Sequence, residues 1–264
     1  MPRIALIVSY NGRAFHGWQV QDGQTRTVQG CLEEALASIA RQPITAHCAG
    51  RTDAGVHATH QIAHFDTDAD RPDKAWVMGA NSQLPHDIAV SWAGQVPDDF
   101  DARHSATARR YLYVIYNHQI RSALYPKEMT QEHRQLNDQA MHQAAQSLLG
   151  EQDFTSFRAA NCQSRSPMRN VHKVEVRRQG HLVLIDIEAN AFLHHMVRNI
   201  AGALLEVGAN QHPPNWIAKL LQAKDRTAAA KTAPPDGLYL RNVTYPTNPP
   251  PPGPDLPHLL TNPD

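Results

Sequence analysis

Arg169-Asn170-Val171-His172-Lys173-Val174-Glu175-Val176-Arg177-Arg178-Gln179-Gly180-His181-Leu182-Val183-Leu184-Ile185-Asp186-Ile187-Glu188-Ala189 is the stretch that decides the fold. Apolar and polar residues alternate on both sides of Gln179-Gly180, the period of half-buried strands joined by a tight turn. Two strands in immediate succession make an antiparallel pair and exclude a pure βαβ alternation.

Working outward toward the C-terminus, Asn190 reads as the cap of a long helix through Met196, Ile200, Leu204 and Val207. Pro214 opens a second helix over 215–224 with Trp216, Ile217 and Leu221 on its apolar side, and 237–245 reads as a last strand. Toward the N-terminus, Asn137 caps a helix with Met141, Ala144 and Leu148 inward and Gly150 at its end. Strands are expected at 3–10, 44–49, 61–65, 87–96 and 105–116. A helix capped by Thr27 carries Val28, Leu32, Ala35, Leu36 and Ile39, and a short one after Pro72 runs through Trp76 and Met78. The pattern predicts two α+β halves, each a sheet covered by helices on one face, over residues 1–103 and 104–245. Prolines recur through 246–264, which reads as an extended or disordered tail.

The composition is that of an ordinary soluble protein, with 41% hydrophobic and 19% charged residues in 264. No apolar run reaches the length of a membrane span, and no signal-peptide core follows Met1. Cys31, Cys48 and Cys162 form no C-x-x-C pair, so a reducing compartment, the cytoplasm, is expected. Net charge is formally zero, which by itself counts against a nucleic-acid partner. The distribution is uneven: Arg103, Arg109, Arg110 and Arg121 face Asp101 alone across their stretch. Arg158, Arg165, Arg169, Lys173, Arg177 and Arg178 meet only Glu175 across theirs. A basic face on a neutral protein is therefore possible.

Three places carry candidate chemistry. Asp53 sits in the Gly-flanked loop Gly50-Arg51-Thr52-Asp53-Ala54-Gly55, either as a turn residue bonding its own backbone or as an outward-pointing carboxylate. Arg198, among the helix residues Met196, Ile200 and Leu204, needs an anion: a core carboxylate such as Asp186, or Asp53, which it would hold ionised as a nucleophile requires. Arg109-Arg110-Tyr111 puts cations for phosphates beside a ring for base stacking, or is a plain strand with an aromatic. His57, His60 and His64 form no recognisable metal set, because on a strand 60 and 64 share a face that 57 does not; they read as polar-surface or RNA-facing. His194 and His195 read as one partly buried and one exposed.

The block Gly50-Arg51-Thr52-Asp53-Ala54-Gly55-Val56-His57-Ala58 resembles the signature of TruA-type tRNA pseudouridine synthases. The resemblance continues in family order. It takes in Tyr10-Asn11-Gly12, Phe15-His16-Gly17-Trp18-Gln19, Arg109-Arg110-Tyr111 and Asp153-Phe154-Thr155-Ser156-Phe157, then His194-His195-Met196-Val197-Arg198-Asn199 and Gly237-Leu238-Tyr239-Leu240. It implies isomerisation of uridine to pseudouridine at positions 38, 39 and 40 of the tRNA anticodon arm. Asp53 would be the nucleophile, Arg198 its ion-pair partner and Tyr111 the ring on the flipped uracil. Leu238 would form an apolar wall, Arg51 would enter the RNA, and Arg109 and Arg110 would contact it. The implied fold is two ferredoxin-like or RRM-like α/β halves making one continuous mixed, mainly antiparallel sheet. Helices would pack on that sheet, with a central basic cleft, in a homodimer. Nothing is oxidised and no group is carried away, so no cofactor or metal is expected. The rivals are a non-catalytic RNA-binding protein on the same scaffold and a glycosidic hydrolase, which would need a second carboxylate.

Overall fold

The computed structural model describes residues 1–21, 25–125 and 127–247, so most of the tail lies outside the described residues. The chain divides into two units, Met1–Thr107 with the chain from Tyr239 onward, and Ala108–Leu238.

In the first unit the order is β1 (Arg3–Tyr10), α1 (Val28–Ala40), β2 (His47–Cys48), β3 (His57–Asp66), α2 (Asp73–Gln83) and β4 (Ile88–Val96). β1 lies between β4 and β3, antiparallel to both, and β2 adds to β3. The β-α-β-β-α-β order with that strand arrangement is ferredoxin-like. Thr27 caps α1 as its position predicts, its hydroxyl accepting from the Gly30 N–H at 3.3 Å. Val28, Leu32, Ala35 and Leu36 are buried along one stripe, and Trp76 of α2 meets Phe65 edge-on at 5.2 Å between ring centres.

Two expectations for this unit need correction. The strand expected at 44–49 shrinks to His47–Cys48. Beyond it the Gln61 side chain takes over the pairing: its amide donates to the Gly50 carbonyl at 2.6 Å and its oxygen accepts from the Gly50 N–H at 3.2 Å. His57, His60 and His64 lie within β3 and are all buried rather than surface-facing. Backbone N–H groups claim two of the rings, Gly12 donating to His57 Nδ1 at 3.0 Å and Ala102 to His64 Nδ1 at 3.1 Å. Burial lowers the pKa of both His60 and His64 to about 4, aided at His64 by the Arg3 guanidinium.

The second unit runs β5 (Ala108–Asn117), β6 (Thr130–Glu132), α3 (Asp138–Ala145), β7 (Gly150–Asp153), β8 (Met168–Gln179), β9 (Leu182–Ala189), α4 (Met196–Gly208) and α5 (Trp216–Ala223). Its sheet is antiparallel in the order β5-β9-β8-β7, with β6 parallel along the end of β5. The β8–β9 hairpin turns at Gly180, whose φ of 56° explains the glycine. Asn137 caps α3 by accepting from the Ala140 N–H at 3.0 Å, and α3 packs on β8 and α4. Asn190 does not cap α4: its side-chain oxygen accepts from the N–H groups of Asn170 (3.0 Å) and Ala191 (2.8 Å). The helix starts at Met196, after His195 in the left-handed region at φ 60°.

The last strand, β10 (Leu238–Thr244), lies from Tyr239 onward in the first unit. There it runs parallel to β3, with Tyr239 opposite His57 and Leu240 opposite Ala58. Both units are thus α+β with mainly antiparallel sheets and helices packed on them. Among the described residues no helix is long and apolar enough to cross a membrane.

Candidate active site

In the first unit, Asp53 sits in a loop whose backbone is fixed from several sides. Trp18 donates its N–H to the Thr52 carbonyl at 3.0 Å, Gly55 to Phe15 at 3.3 Å, and Val56 to the Asp53 carbonyl at 3.1 Å. The Thr52 hydroxyl meets the Tyr10 hydroxyl at 2.8 Å, and Gln61 holds Gly50 as described. The glycines of the preceding motif are required by close approach. A Cβ on Gly17 (φ 89°) would stand 2.6 Å from the Thr52 oxygen, and one on Gly12 would run into the Val56 carbonyl. His57, which accepts from Gly12, stacks on Tyr239 with ring centres 4.6 Å apart, so β10 closes the base of the loop. Within this frame the Asp53 side chain remains half-exposed and Arg51 is exposed.

In the second unit the bend 190–195, between β9 and α4, gathers several expected residues. Arg109 donates to the Asn190 carbonyl at 3.2 Å, and Phe192 meets the Tyr111 ring edge-on at 5.0 Å. Strand alternation puts Arg110 on the opposite face of β5 from Arg109 and Tyr111. There its guanidinium grips Asp186, 1% exposed, at 2.7 Å and 2.5 Å, one contact to each carboxylate oxygen. That pairing raises the pKa of Arg110, chiefly through the hydrogen bond to Asp186. The Asp186 carboxylate, one of two anions weighed for Arg198, is thus engaged by Arg110. His194 and His195 are both half-buried, rather than one partly buried and one exposed.

Arg198 stands in the first turn of α4 and is oriented through its neighbours. Its Nε donates to the Ala233 carbonyl at 2.9 Å, and the Ala233 N–H returns to the Arg198 carbonyl at 3.1 Å. Next to it, Asn199 is fully buried. Its amide donates to Phe157, and its oxygen accepts from Thr232 (2.7 Å) and Arg226 (3.1 Å). Tyr113 donates its hydroxyl to Pro234 at 2.8 Å, so residues 226–234 are fastened to both β5 and α4. Leu238 is buried at the step into β10, its N–H bonded to Pro235.

The family model described as tRNA pseudouridine synthase matches residues 6–105 and 144–246. The chain belongs to that family. A protein of Escherichia fergusonii named tRNA pseudouridine synthase A is 59% identical over 244 residues, covering 92% of this chain and 90% of that relative. Proteins of the same name from Escherichia coli O1:K1 and Shigella boydii are 58% identical with the same coverage. A chain from a solved Cbf5-Nop10-Gar1 complex aligns over 76% of this chain and 54% of its own, at 12% identity and a TM-score of 0.30. That likeness carries no argument.

For a tRNA pseudouridine synthase, the matched segments include Arg51, Asp53, Arg198 and Leu238, while Arg109, Arg110 and Tyr111 lie between the two segments. What sequence reasoning missed is the supporting cast. Gln61, Gly12 and Gly17 shape the Asp53 loop, and Asn199, Thr232 and Arg226 hold the start of α4. Asn199 left a signal, an amide among buried helix positions that had to find partners. Gln61 left none, because its bonds replace backbone pairing that alternation alone would have supplied.

Proposed function

We propose that the chain isomerises uridine to pseudouridine at positions 38, 39 and 40 of the tRNA anticodon arm, with Asp53 as nucleophile on a flipped-out base. The observation that carries this reading is the loop itself: a backbone pinned by Tyr10, Trp18, Gln61 and two obligatory glycines around a half-exposed carboxylate. A turn residue needs no such frame, whereas a nucleophile needs its position held.

Arg198 keeps the Asp53 carboxylate ionised in this proposal, Tyr111 stacks on the uracil, Leu238 supplies an apolar wall, and Arg51 enters the RNA. Arg109 suits a phosphate contact better than Arg110, which is engaged with Asp186. The N1–C1′ bond breaks, the uracil rotates, and C5 bonds to C1′. C5 then loses its proton while N1 gains one, so atoms balance without a cofactor. Water must be kept from C1′, or isomerisation becomes base loss. A hydrolase would need a second acid, and Asp186, a distant carboxylate that could have served, is buried in a bidentate ion pair with Arg110. The enzyme is further proposed to be cytoplasmic and homodimeric, each RNA touching both subunits; light scattering of the purified chain tests the dimer.

The deciding experiment is tritium release from C5-labelled uridine in unmodified tRNA, followed by mapping of the modified positions. Asp53→Asn is expected to abolish release while tRNA binding persists. Turnover at the wild-type rate would remove Asp53 from the chemistry, and free uracil among the products would favour hydrolysis.

A further inference from the structure

Between β7 and β8 the chain carries Arg158 and Arg165, β8 itself carries Arg169 as its second residue, and from Phe154 to Val174 there is no Asp or Glu. Arg158 Nη2 donates to the carbonyls of Cys162 (2.8 Å) and Ser164 (2.7 Å). Arg169 Nη2 donates to the Ser164 hydroxyl at 2.8 Å, and its Nη1 to the carbonyls of Ser166 (3.1 Å) and Met168. Two half-buried guanidiniums therefore converge on one serine. Among the described residues neither forms an ion pair with a carboxylate, and Arg169 Nε is buried with no hydrogen-bond partner.

Backbone carbonyls satisfy N–H donors, but they do not cancel charge. Half-burying two like cations side by side is unfavourable, and the structure registers it: burial first, then Arg158, lowers the pKa of Arg169. The group that opposes this shift is the Cys162 thiol. Burial pushes its pKa up, but the N–H groups of His194 and Ser164, and then Arg158, outweigh that and bring it below the usual thiol value. Pre-positioned forks lacking a carboxylate are what a phosphate completes, since its oxygens accept several charge-assisted bonds at once.

The place of this loop narrows the ligand. Ala159 donates to the His194 carbonyl at 3.1 Å, His194 donates its N–H to Cys162 Sγ at 3.4 Å, and the His194 ring meets Asn161 at 3.0 Å. The loop is thus tied to the bend that also holds Arg109 and Phe192 and leads into Arg198. We propose that Arg158 and Arg169, with the exposed Arg165 beside them, form a clamp for the sugar–phosphate backbone of the substrate tRNA. The clamp would grip without reading sequence. It rests on tRNA being the substrate, and not on the roles of Asp53 or Arg198.

The test measures the affinity of the full chain for unmodified tRNA across a range of KCl concentrations. Each phosphate contact contributes about 0.9 to the slope of log affinity against log salt. Arg169→Gln and Arg165→Ala are each expected to flatten that slope by about one and to weaken binding roughly tenfold at about 0.1 M salt, the change falling on Kd and KM. Arg169→Lys, which keeps charge without the fork, should recover most of the slope. Thermal melts of each variant separate lost binding from lost fold. Inorganic phosphate should raise the melting temperature of the wild type and not of Arg169→Gln. Folded Arg169→Gln and Arg165→Ala variants with the wild-type slope would overturn the clamp. So would phosphate stabilisation without any change in the tRNA slope, which would mean a small-anion site instead. Asp53→Asn, with no turnover but a full slope, keeps a failure here distinct from a failure of the catalytic reading.

Discussion

Replacing Gly17 with alanine tests whether the frame around Asp53 governs catalysis. The added Cβ would lie 2.6 Å from the Thr52 oxygen, 3.2 Å from the Asp53 carbonyl carbon and 3.3 Å from the Ala54 nitrogen, all backbone atoms that cannot swing aside. A carbon–oxygen contact relaxes near 3.3 Å, so the loop must yield by about 0.7 Å. Misplacing a reacting group by about 1 Å costs on the order of a hundredfold in rate. The expected loss in kcat is therefore about 10- to 100-fold, equivalent to about 1.4–2.7 kcal/mol. The φ of 89° adds strain of about 1–2 kcal/mol to the folded state. Gly180→Ala is the control: its φ is 56° and nothing lies within 4 Å of the new Cβ. That variant bears the strain without moving the loop, so its melting temperature should fall and its kcat should not. Tritium release under saturating tRNA, paired with urea melts, reads both. A Gly17→Ala enzyme at the wild-type rate, or an equal rate loss in Gly180→Ala, would refute the reasoning.

Asn199→Ala removes a fully buried amide with three hydrogen-bond partners and should cost about 2–4 kcal/mol in urea unfolding, with kcat falling as Arg198 loses its neighbour's anchor. Arg110→Ala should destabilise by about 3 kcal/mol by stripping the buried Asp186 of its bidentate partner, while the salt slope for tRNA changes little; a slope change of one would give Arg110 an RNA contact instead. Acid sensitivity should follow from His60 and His64. Their folded pKa values near 4 lie below the ordinary 6.5, so the unfolded chain binds the extra protons first. Their contribution is whole above about pH 6.5 and is lost as pH falls toward 4, about 2 kcal/mol per histidine by pH 5. Urea midpoints at pH 7.5 and 5 for wild type and His60→Gln check the sign; an unchanged pH dependence in the variant would exclude His60 as a source.

Regular periodicity made the framework legible. The β8–β9 hairpin, β1, and the Thr27 and Asn137 caps were readable because each depends on local alternation or one polar side chain. Elements that depend on long-range partners were not. β6 and β7 are short and take their shape from β5 and β8, and the pairing at Gly50 is supplied by a side chain on another strand. The buried histidines of β3 misled because the backbone donors that accept their company, Gly12 and Ala102, lie 45 and 38 residues away. The start of α4 was misplaced because nothing in His195 announces a left-handed backbone. Of the candidate site, motif order supplies the candidates alone, and the devices that orient them leave no such trace in the sequence.

The strand carrying Tyr239 is made some 130 residues after the rest of its unit has left the ribosome. Until then His57 lacks its stacking partner and the edge of β3 beside Ala58 stays open. A nascent or truncated chain ending at Thr107 therefore holds every residue of the aspartate loop yet not the floor beneath it. The aspartate loop thus gains its last packing contact only once the polypeptide is whole.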